Sequence, residues 1–392
     1  MMGNAKTIAL TVLLAAASGN AGSLVVGTGD PNLDVPAVQA AVDRGGQVIL
    51  KGHFSFDRPP EKPAGAVYER TVTVSKEVVI SGERDEHGNM PAIEGGSFAF
   101  FVDVSGARVE VRDVRLVRPK GIAIWVYAAS GLVIKGCKFD GVEPSAALSE
   151  HAGVSHPVAV AVFVGSNPAP PKPGQREQEE NNTGRLFILD NDIDVGGTAG
   201  DQTLGIAVFG VGRSPDKEVD LYISGNNIKN ITERAINVRQ IGGRVNIERN
   251  AITTGSISGP SNGVQPDAIH AVGSGSYLIE HNSIVSEWGT GAGIRVQGSA
   301  WSPEANAIIA DNDVTMSAPG GTIFGANSAA IEIRGSAHDN VVRNNRIHGR
   351  ARAALAVADQ GGRCPENNTF TSNDLVGFQP WLAGRAGMTG VQ

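Results

Sequence analysis

Residues 267–297 read DAIHAVGSGSYLIEHNSIVSEWGTGAGIRVQ, and this stretch decides the fold. It holds three short runs in which apolar and polar residues alternate, a pattern typical of β-strands. Turns rich in glycine or asparagine separate the runs, and His281-Asn282 is read as a tight corner. A fourth run then begins at Gly293. The stretch therefore predicts one coil of three strands followed by the start of the next coil.

The corner asparagine recurs through the second half of the chain. It is followed two residues later by an aliphatic residue at Asn191, Asn226, Asn250, Asn282, Asn312, Asn345 and Asn373. From Asn226 onward the steps are 24, 32, 30, 33 and 28 residues, which is the range of stacked repeats. One coil cannot bury its apolar face alone, but stacked coils share a core. The repeat predicts a solenoid whose corner amides hydrogen-bond to each other and to the backbone.

Composition agrees with a folded β-protein and limits its partners. The chain has 392 residues, 51 glycines, 41% hydrophobic residues and 19% charged residues, which is ample for a core. The formal net charge is −7 and no stripe of lysine or arginine occurs, so nucleic acid is not an expected partner. No apolar run is long enough to predict a membrane span.

The domain organisation follows from four segments. Residues 1–21 combine Lys6, a short apolar run and small residues, which predicts a signal peptide and a secreted or periplasmic protein; a buried N-terminal segment is the alternative. Residues 22–392 are expected to form one domain. A Pro-rich loop excursion at 166–185 interrupts the repeat, and about 376–392 is expected to cap the C-terminal end.

The start of the solenoid is expected to carry a short capping helix at about residues 34–45. Asp34 can cap it, Pro36 lies in its first turn and Gly45 ends it. The run at 46–52 follows as the first strand. A helix here would close the open end of the core.

The two cysteines are predicted to be unpaired. Cys137 occupies the corner position held elsewhere by asparagine, and Cys364 lies in the last coil. Strands about 4.8 Å apart would separate the two by roughly 30 Å, whereas a disulfide needs Cα atoms within about 7 Å.

The opening helix, the motif Gly-Gly-x-Val-x-Leu-x-Gly at 45–52 and the coils with a corner asparagine resemble the pectate-lyase-like right-handed β-helix superfamily. They also resemble secreted bacterial proteins with a right-handed β-helix region. The resemblance covers about residues 30–380. It implies an all-β fold: a single-stranded right-handed parallel β-helix with a short N-terminal capping helix. It implies no single activity, because the superfamily holds lyases, hydrolases, epimerases and non-catalytic proteins.

Aligning the coils on the asparagine stacks the outward side chains of each first strand into columns. One column reads Ala207, Asn237, His270, Arg295, Glu332 and Ala356, and the next reads Phe209, Arg239, Val272, Gln297, Arg334 and Ala358. Ionisable residues concentrate in four coils, with Asp267 at their edge. We interpret them as a groove on the first sheet, as the resembling family has. A ladder of solvated polar residues with weak ion pairs is the alternative.

The expected partner of this groove is an acidic polysaccharide. Guanidinium groups bind carboxylates in bidentate geometry, and aromatic rings suit the apolar faces of sugars. The residues predicted to bind substrate are Asn237, Arg239, Gln297, Arg334, Phe163, Phe209 and Trp125. For the three aromatic residues, packing beneath the 166–185 excursion is an equal alternative.

The candidate catalytic residues are His270, Arg295, Asp267 and Glu332. His270 can act as a general base near neutral pH, and Arg295 can neutralise the carboxylate of a uronate during β-elimination or epimerisation. The run Gln265-Pro-Asp-Ala-Ile-His270 is similar to the acidic-residue-plus-histidine site of mannuronan epimerases. The tyrosine of that family's motif is missing, and no general acid is assigned.

Two other functions remain open. The first is a non-catalytic polysaccharide-binding or surface β-helix protein. The second is an inverting glycoside hydrolase that uses Asp267 and Glu332, which are two coils and roughly 10 Å apart, where about 6.5–9.5 Å is usual. No metal site is predicted: calcium is compatible with these carboxylates but not required, and the sequence does not indicate an oligomeric state.

Overall fold

The computed structural model describes residues 22–59, 61, 70–145, 148, 158–166, 181–196, 202–211, 219–239, 241–254, 266–273, 275–287, 291–298, 305–317, 328–360, 362–378 and 382–383. The predicted signal peptide lies outside the described residues, as do most of the predicted Pro-rich excursion and most of the predicted C-terminal cap.

The described residues form one helix and 34 strands. The first part of the chain contains β1 Ser23–Val26, α1 Pro31–Arg44, β2 Gly46–Lys51, β3 His53–Ser55, β4 Val72–Val74, β5 Val78–Glu83, β6 Ala92–Glu94, β7 Phe100–Val104, β8 Val109–Arg112, β9 Arg115–Val117, β10 Ile122–Ala129, β11 Leu132–Lys135 and β12 Lys138–Asp140. The middle contains β13 Val158–Val164, β14 Gly184–Leu189, β15 Asp192–Asp194, β16 Gln202–Phe209, β17 Val219–Ser224, β18 Asn227–Lys229, β19 Arg234–Arg239, β20 Gly243–Glu248, β21 Ala251–Thr253, β22 Asp267–Val272, β23 Gly275–Glu280 and β24 Ser283–Ser286. The last part contains β25 Ala292–Gln297, β26 Ala305–Ala310, β27 Asp313–Ser317, β28 Ala329–Arg334, β29 Val341–Arg343, β30 Arg346–Arg350, β31 Ala353–Ala358, β32 Thr369–Thr371, β33 Asp374–Val376 and β34 Leu382–Ala383.

These strands form three parallel sheets, each built from every third strand. Sheet A has 12 strands in the order β1-β2-β5-β8-β11-β14-β17-β20-β23-β26-β29-β32. Sheet B has 11, in the order β3-β6-β9-β12-β15-β18-β21-β24-β27-β30-β33, and sheet C has 11, in the order β4-β7-β10-β13-β16-β19-β22-β25-β28-β31-β34. One apolar core runs between the sheets from Val25 to Phe370. The fold is a right-handed parallel β-helix, as the sequence predicted.

The corner between sheets A and B is held by the asparagine ladder. Each side-chain amide donates to the amide oxygen of the next asparagine at 2.9–3.0 Å, through Asn191, Asn226, Asn250, Asn282, Asn312, Asn345 and Asn373. The residues just before them have φ between 53° and 67°: Asp190, Gly225, Arg249, His281, Asp311, Asn344 and Ser372. The left-handed backbone turns the chain sharply, and the amide satisfies the polar groups that the turn would leave buried.

The N-terminal cap differs from the prediction in two respects. α1 starts earlier than residue 34, because Asp30 is its N-cap and accepts from the backbone N–H of Asn32. Asp34 does not cap the helix; it is buried and accepts hydrogen bonds from Thr28 and Ser55, which ties the helix to the first coil. The first strand is also β1 rather than the run at 46–52.

Both cysteines are unpaired, as predicted: Cys137 is buried and Cys364 is exposed. Cys137 takes the ladder position of the preceding coil, because its backbone N–H donates to the side-chain oxygen of Asn191 at 2.9 Å. Burial raises the pKa of its thiol to about 12. In the part of the chain that the structure describes, no helix is long and apolar enough to cross a membrane.

The ladder leads to a direct test of stability. Asn282→Ala leaves buried carbonyl and amide groups unpaired, because Asn282 donates to Ile247 and Asn312 and accepts from Asn250. We expect it to lower the free energy of unfolding by at least about 2 kcal/mol, measured by urea denaturation. The matched control is Asn227→Ala, since Asn227 is exposed and its side chain bonds to Asp192; its cost should stay below about 0.5 kcal/mol. Equal losses in the two variants would contradict the role of the ladder.

Candidate functional site

The outward columns on sheet C have the register that the sequence predicted. In the first column, strand pairing places Asn237 beside His270, His270 beside Arg295 and Arg295 beside Glu332. In the second, the pairs along the column are Phe209 with Arg239, Arg239 with Val272, Val272 with Gln297, Gln297 with Arg334 and Arg334 with Ala358. The polar residues therefore meet across four consecutive strands of one sheet.

The first column is not a solvated face. The exposed fractions are 1% for Asn237, 0% for Asp267, 3% for His270, 0% for Arg295 and 2% for Glu332. The expectation that the four candidate catalytic residues line an open groove is therefore wrong for this structure. Alternation along a strand decides which face a side chain takes, whereas its burial depends on what lies outside the sheet.

Arg295 is the centre of a buried ion network. Its Nη1 lies 2.6 Å from Asp267 Oδ2, and its Nε lies 2.5 Å from Glu332 Oε2. The other oxygen of Asp267 accepts from the backbone N–H of Ala292 at 2.8 Å. Burial lowers the pKa of Arg295, but the two carboxylates together outweigh it, so the pKa is raised above its ordinary value. Because Arg295 already holds two carboxylates, it is poorly placed to neutralise a third one on a substrate.

Two members of the network, Glu233 and Arg234, were not predicted from the sequence. Arg234 pairs across the sheet with Asp267 in a third column, and its Nε lies 3.8 Å from Asp267 Oδ2. It also forms an ion pair with Glu233. The signal was present, because Arg234 lies two residues before the inward Ile236, as Asp267 lies two residues before Ile269.

His270 is held between the network and the second column. Its Nδ1 lies 3.6 Å from Asp267 Oδ2, and its Nε2 lies 3.4 Å from Gln297 Oε1. Burial lowers the pKa of His270 well below its ordinary value, and the charges of Arg234 and Arg239 lower it further. The imidazole is therefore neutral at pH 7, with Asp267 on one side and Gln297 on the other.

The second column provides the accessible part of this face. We call Arg239, Gln297 and Arg334 the rim, because all three side chains are partly exposed. Arg239 donates from Nε to the side-chain oxygen of Asn237 at 3.1 Å, and its guanidinium lies 5.6 Å from the ring centre of Phe209. Burial and then the charge of Arg234 lower the pKa of Arg239 to about 9, so it remains a cation at neutral pH.

The aromatic residues form a buried cluster beside the rim. Trp125 packs edge-on against Phe163, and Phe163 packs edge-on against Phe209, with ring centres 5.8 and 5.3 Å apart. The Trp125 indole donates to the carbonyl of Gly165 at 2.9 Å. All three rings are buried in an apolar cluster outside sheet C. The expectation that they offer open faces to a sugar is wrong for this structure, and the packing alternative describes them.

The carboxylates are poorly arranged for glycoside hydrolysis or for calcium. Asp267 and Glu332 both contact Arg295 and are almost completely buried, whereas a general acid and base must reach the glycosidic bond and a water. Among the described residues, no group of three or more His, Cys, Asp or Glu side chains could hold a metal ion.

Comparison with known proteins agrees with the fold. Residues 261–389 match a family model described as "Right handed beta helix region", and together with the three parallel sheets this confirms the resemblance to right-handed β-helix proteins. A search of curated proteins found no match.

Solved structures that are similar to this chain include two proteins. One is the surface protein and adhesin PfbA of Streptococcus pneumoniae, with a TM-score of 0.45 and 12% identity over 90% of this chain and 99% of that chain. The other is the A-module of mannuronan C-5 epimerase AlgE6 of Azotobacter vinelandii, with a TM-score of 0.26 and 10% identity over 90% of this chain and 94% of that chain. At such identities and scores neither function transfers to this chain.

The ion network predicts that removing the buried Arg295 costs much more stability than removing an exposed arginine. Arg295→Met leaves Asp267 and Glu332 as buried charges without their cation, so we expect a loss of about 3–5 kcal/mol in the free energy of unfolding. The matched control is Arg244→Met on sheet A, where the arginine side chain is 72% exposed and pairs with Asp220; it should cost less than about 1 kcal/mol. Urea denaturation of both variants measures the difference, and similar losses would contradict a buried network.

The neutral His270 predicts a pH dependence of stability. The folded pKa of His270 is lowered, so below about pH 6.5 the unfolded chain binds a proton that the folded chain does not. The stability that neutral His270 contributes is therefore complete above about pH 6.5 and is lost as the pH falls. Between about pH 7.5 and about pH 5.5 the unfolding free energy of the wild type should fall by roughly 1 kcal/mol more than that of His270→Gln. Parallel curves for the two proteins would show that His270 titrates normally.

Proposed function

We propose that this right-handed parallel β-helix protein binds an acidic polysaccharide along the rim, Arg239, Gln297 and Arg334. The observation that carries the proposal is the second outward column of sheet C, which holds two partly exposed arginines and no acidic residue. Arginine is suited to bidentate recognition of carboxylates. A polar rim over a buried network also presents its donors in fixed positions, which lowers the entropic cost of binding.

The spacing of the rim favours a linear polyanion over a small anion. Arg239 lies on β19 and Arg334 on β28, three strands apart in sheet C, which corresponds to roughly 14 Å at the usual strand spacing. A single carboxylate cannot reach both cations, whereas successive acidic sugars of one chain can. The secreted or periplasmic location expected from residues 1–21 belongs to the same proposal, since such polymers occur outside the cell.

The first experiment measures binding to a panel of polyuronates at low and high salt. We expect Arg239→Gln combined with Arg334→Gln to weaken binding at least tenfold and to reduce its salt dependence, because rim cations interact with the ligand through partly exposed charge. The matched control is Arg185→Gln combined with Arg244→Gln, which removes two exposed charges from sheet A. Equal losses in both double variants, or no loss in the rim variant, would contradict the proposal.

A second candidate function is abstraction of the uronate α-proton by His270, as in β-elimination or epimerisation. It is favoured by the position of His270: its Nδ1 lies 3.6 Å from Asp267 Oδ2, and its Nε2 lies 3.4 Å from Oε1 of the rim residue Gln297. A base must be neutral at the working pH. Rim cations beside it, rather than Arg295, would neutralise the substrate carboxylate. A sugar would have to displace Gln297 to reach the ring, since His270 is 3% exposed.

Two measurements test whether His270 abstracts the uronate α-proton. Near-UV absorbance detects the unsaturated uronate product of elimination, and proton NMR detects epimerised residues, each with and without calcium. We expect activity in the wild type and its loss in His270→Gln, with polysaccharide binding retained in that variant. If neither product forms on any polymer that the rim binds, the protein is a binding module and His270 has a structural role.

A further inference from the structure

A separate cavity lies at the N-terminal end of the solenoid, away from the rim. Its volume is about 310 Å³. The helix α1 contributes Val35, Pro36, Gln39, Ala40 and Asp43, and the chain that follows the first coil contributes Arg58, Pro59, Glu61, Arg70 and Thr71. None of these residues belongs to the outward columns described above. The cavity lies where the capping helix meets the first coils, and ligand sites commonly form between packed elements of this kind.

Arg70 is the unusual group in this cavity. Its guanidinium carbon lies 3.6 Å from the ring centre of Phe101, a cation–π contact that fixes the side chain. Its Nε is a buried donor with no hydrogen-bond partner among the described residues. Burial lowers the pKa of Arg70, and the charge of Asp103 only partly opposes this. A partly buried cation with an unused donor is a candidate site for an anion.

The other charged and amide side chains of the cavity already have partners. Arg58 pairs with Glu61 at 2.6 Å. Gln39 donates to Asp43 at 2.9 Å, and it both donates to and accepts from the backbone of Thr73. Each of these carboxylates still has lone pairs that can accept hydroxyl groups. The cavity therefore combines one under-satisfied cation with several acceptors for hydroxyls.

The size and the apolar lining of the cavity further restrict the class of ligand that it can bind. Pro36, Ala40 and Pro59 offer apolar surface that suits the C–H face of a sugar ring. A volume of about 310 Å³ lies at the lower end of the range for ligand sites, about 300–1,000 Å³. We propose that this cavity binds a small hydroxylated carboxylate the size of a sugar acid, whose carboxylate pairs with Arg70. This site is independent of the rim, because the two share no residue. It would hold a single sugar acid rather than a polymer.

The test is titration calorimetry of the full chain with glucuronate, and with glucose as the neutral comparison. We expect glucuronate to bind at least tenfold more tightly than glucose. Arg70→Gln should weaken glucuronate binding at least tenfold, whereas the control Arg84→Gln, an arginine that is 48% exposed beside Asp113, should leave it unchanged. Ala40→Leu should also abolish binding by filling the cavity, and because leucine is nearly as good a helix former as alanine, α1 should remain folded.

Thermal unfolding of each variant shows whether a loss of binding reflects a loss of folding. The proposal is overturned if glucuronate does not bind, if glucose binds equally well, or if Arg70→Gln binds glucuronate like the wild type. It is also overturned if the double rim variant Arg239→Gln/Arg334→Gln loses glucuronate binding while Arg70→Gln keeps it. That last result would assign the ligand to the rim, so a failure of this site and a failure of the polysaccharide proposal can be told apart.

Discussion

The asparagine ladder is the constraint on which the rest of the molecule depends. A strand that slips by one residue turns every side chain to the opposite face, and short strands in a solenoid have little else to fix their register. The ladder prevents such a slip, because each buried amide must meet the amide of the next coil and a carbonyl of the preceding one. With the corner fixed, Asn237, His270, Arg295 and Glu332 come into line on sheet C.

The outer face of sheet C is a second packed layer with three zones. Aromatic and aliphatic residues occupy its N-terminal part, the ion network its centre, and Ala329, Ala353 and Ala356 its C-terminal part. Apolar side chains at the centre would pack at least as stably, since buried ion pairs seldom add net stability. The ionic centre therefore favours a role in positioning: Arg295 holds Asp267, and Asp267 lies against His270. His270 in turn lies against Gln297 of the rim.

The sequence was sufficient to predict the fold and the outward columns, but not which of the outward side chains are buried. The repeated asparagine predicted the corner, and the corner predicted which residues share a column. Alternation alone cannot say whether an outward residue such as Arg295 meets water or protein, so an open groove was predicted where the structure has a buried network. Arg234 was not predicted, because strict alternation gives it the same face as the inward Ile236, whereas the structure places its side chain beside Glu233 and Asp267. The capping helix was predicted from Asp34, whereas Asp30 serves as the cap because Pro31 follows it at the first helical position.

The most direct measurement is a crystal structure of the protein with a short acidic oligosaccharide bound. The account predicts a ligand chain that lies along the outside of sheet C, parallel to the solenoid axis, with successive carboxylates within hydrogen-bond distance of Arg239 and Arg334. The side chain of Gln297 would lie beneath the sugar between them. An oligosaccharide bound to another face, with the rim unoccupied, would contradict the account.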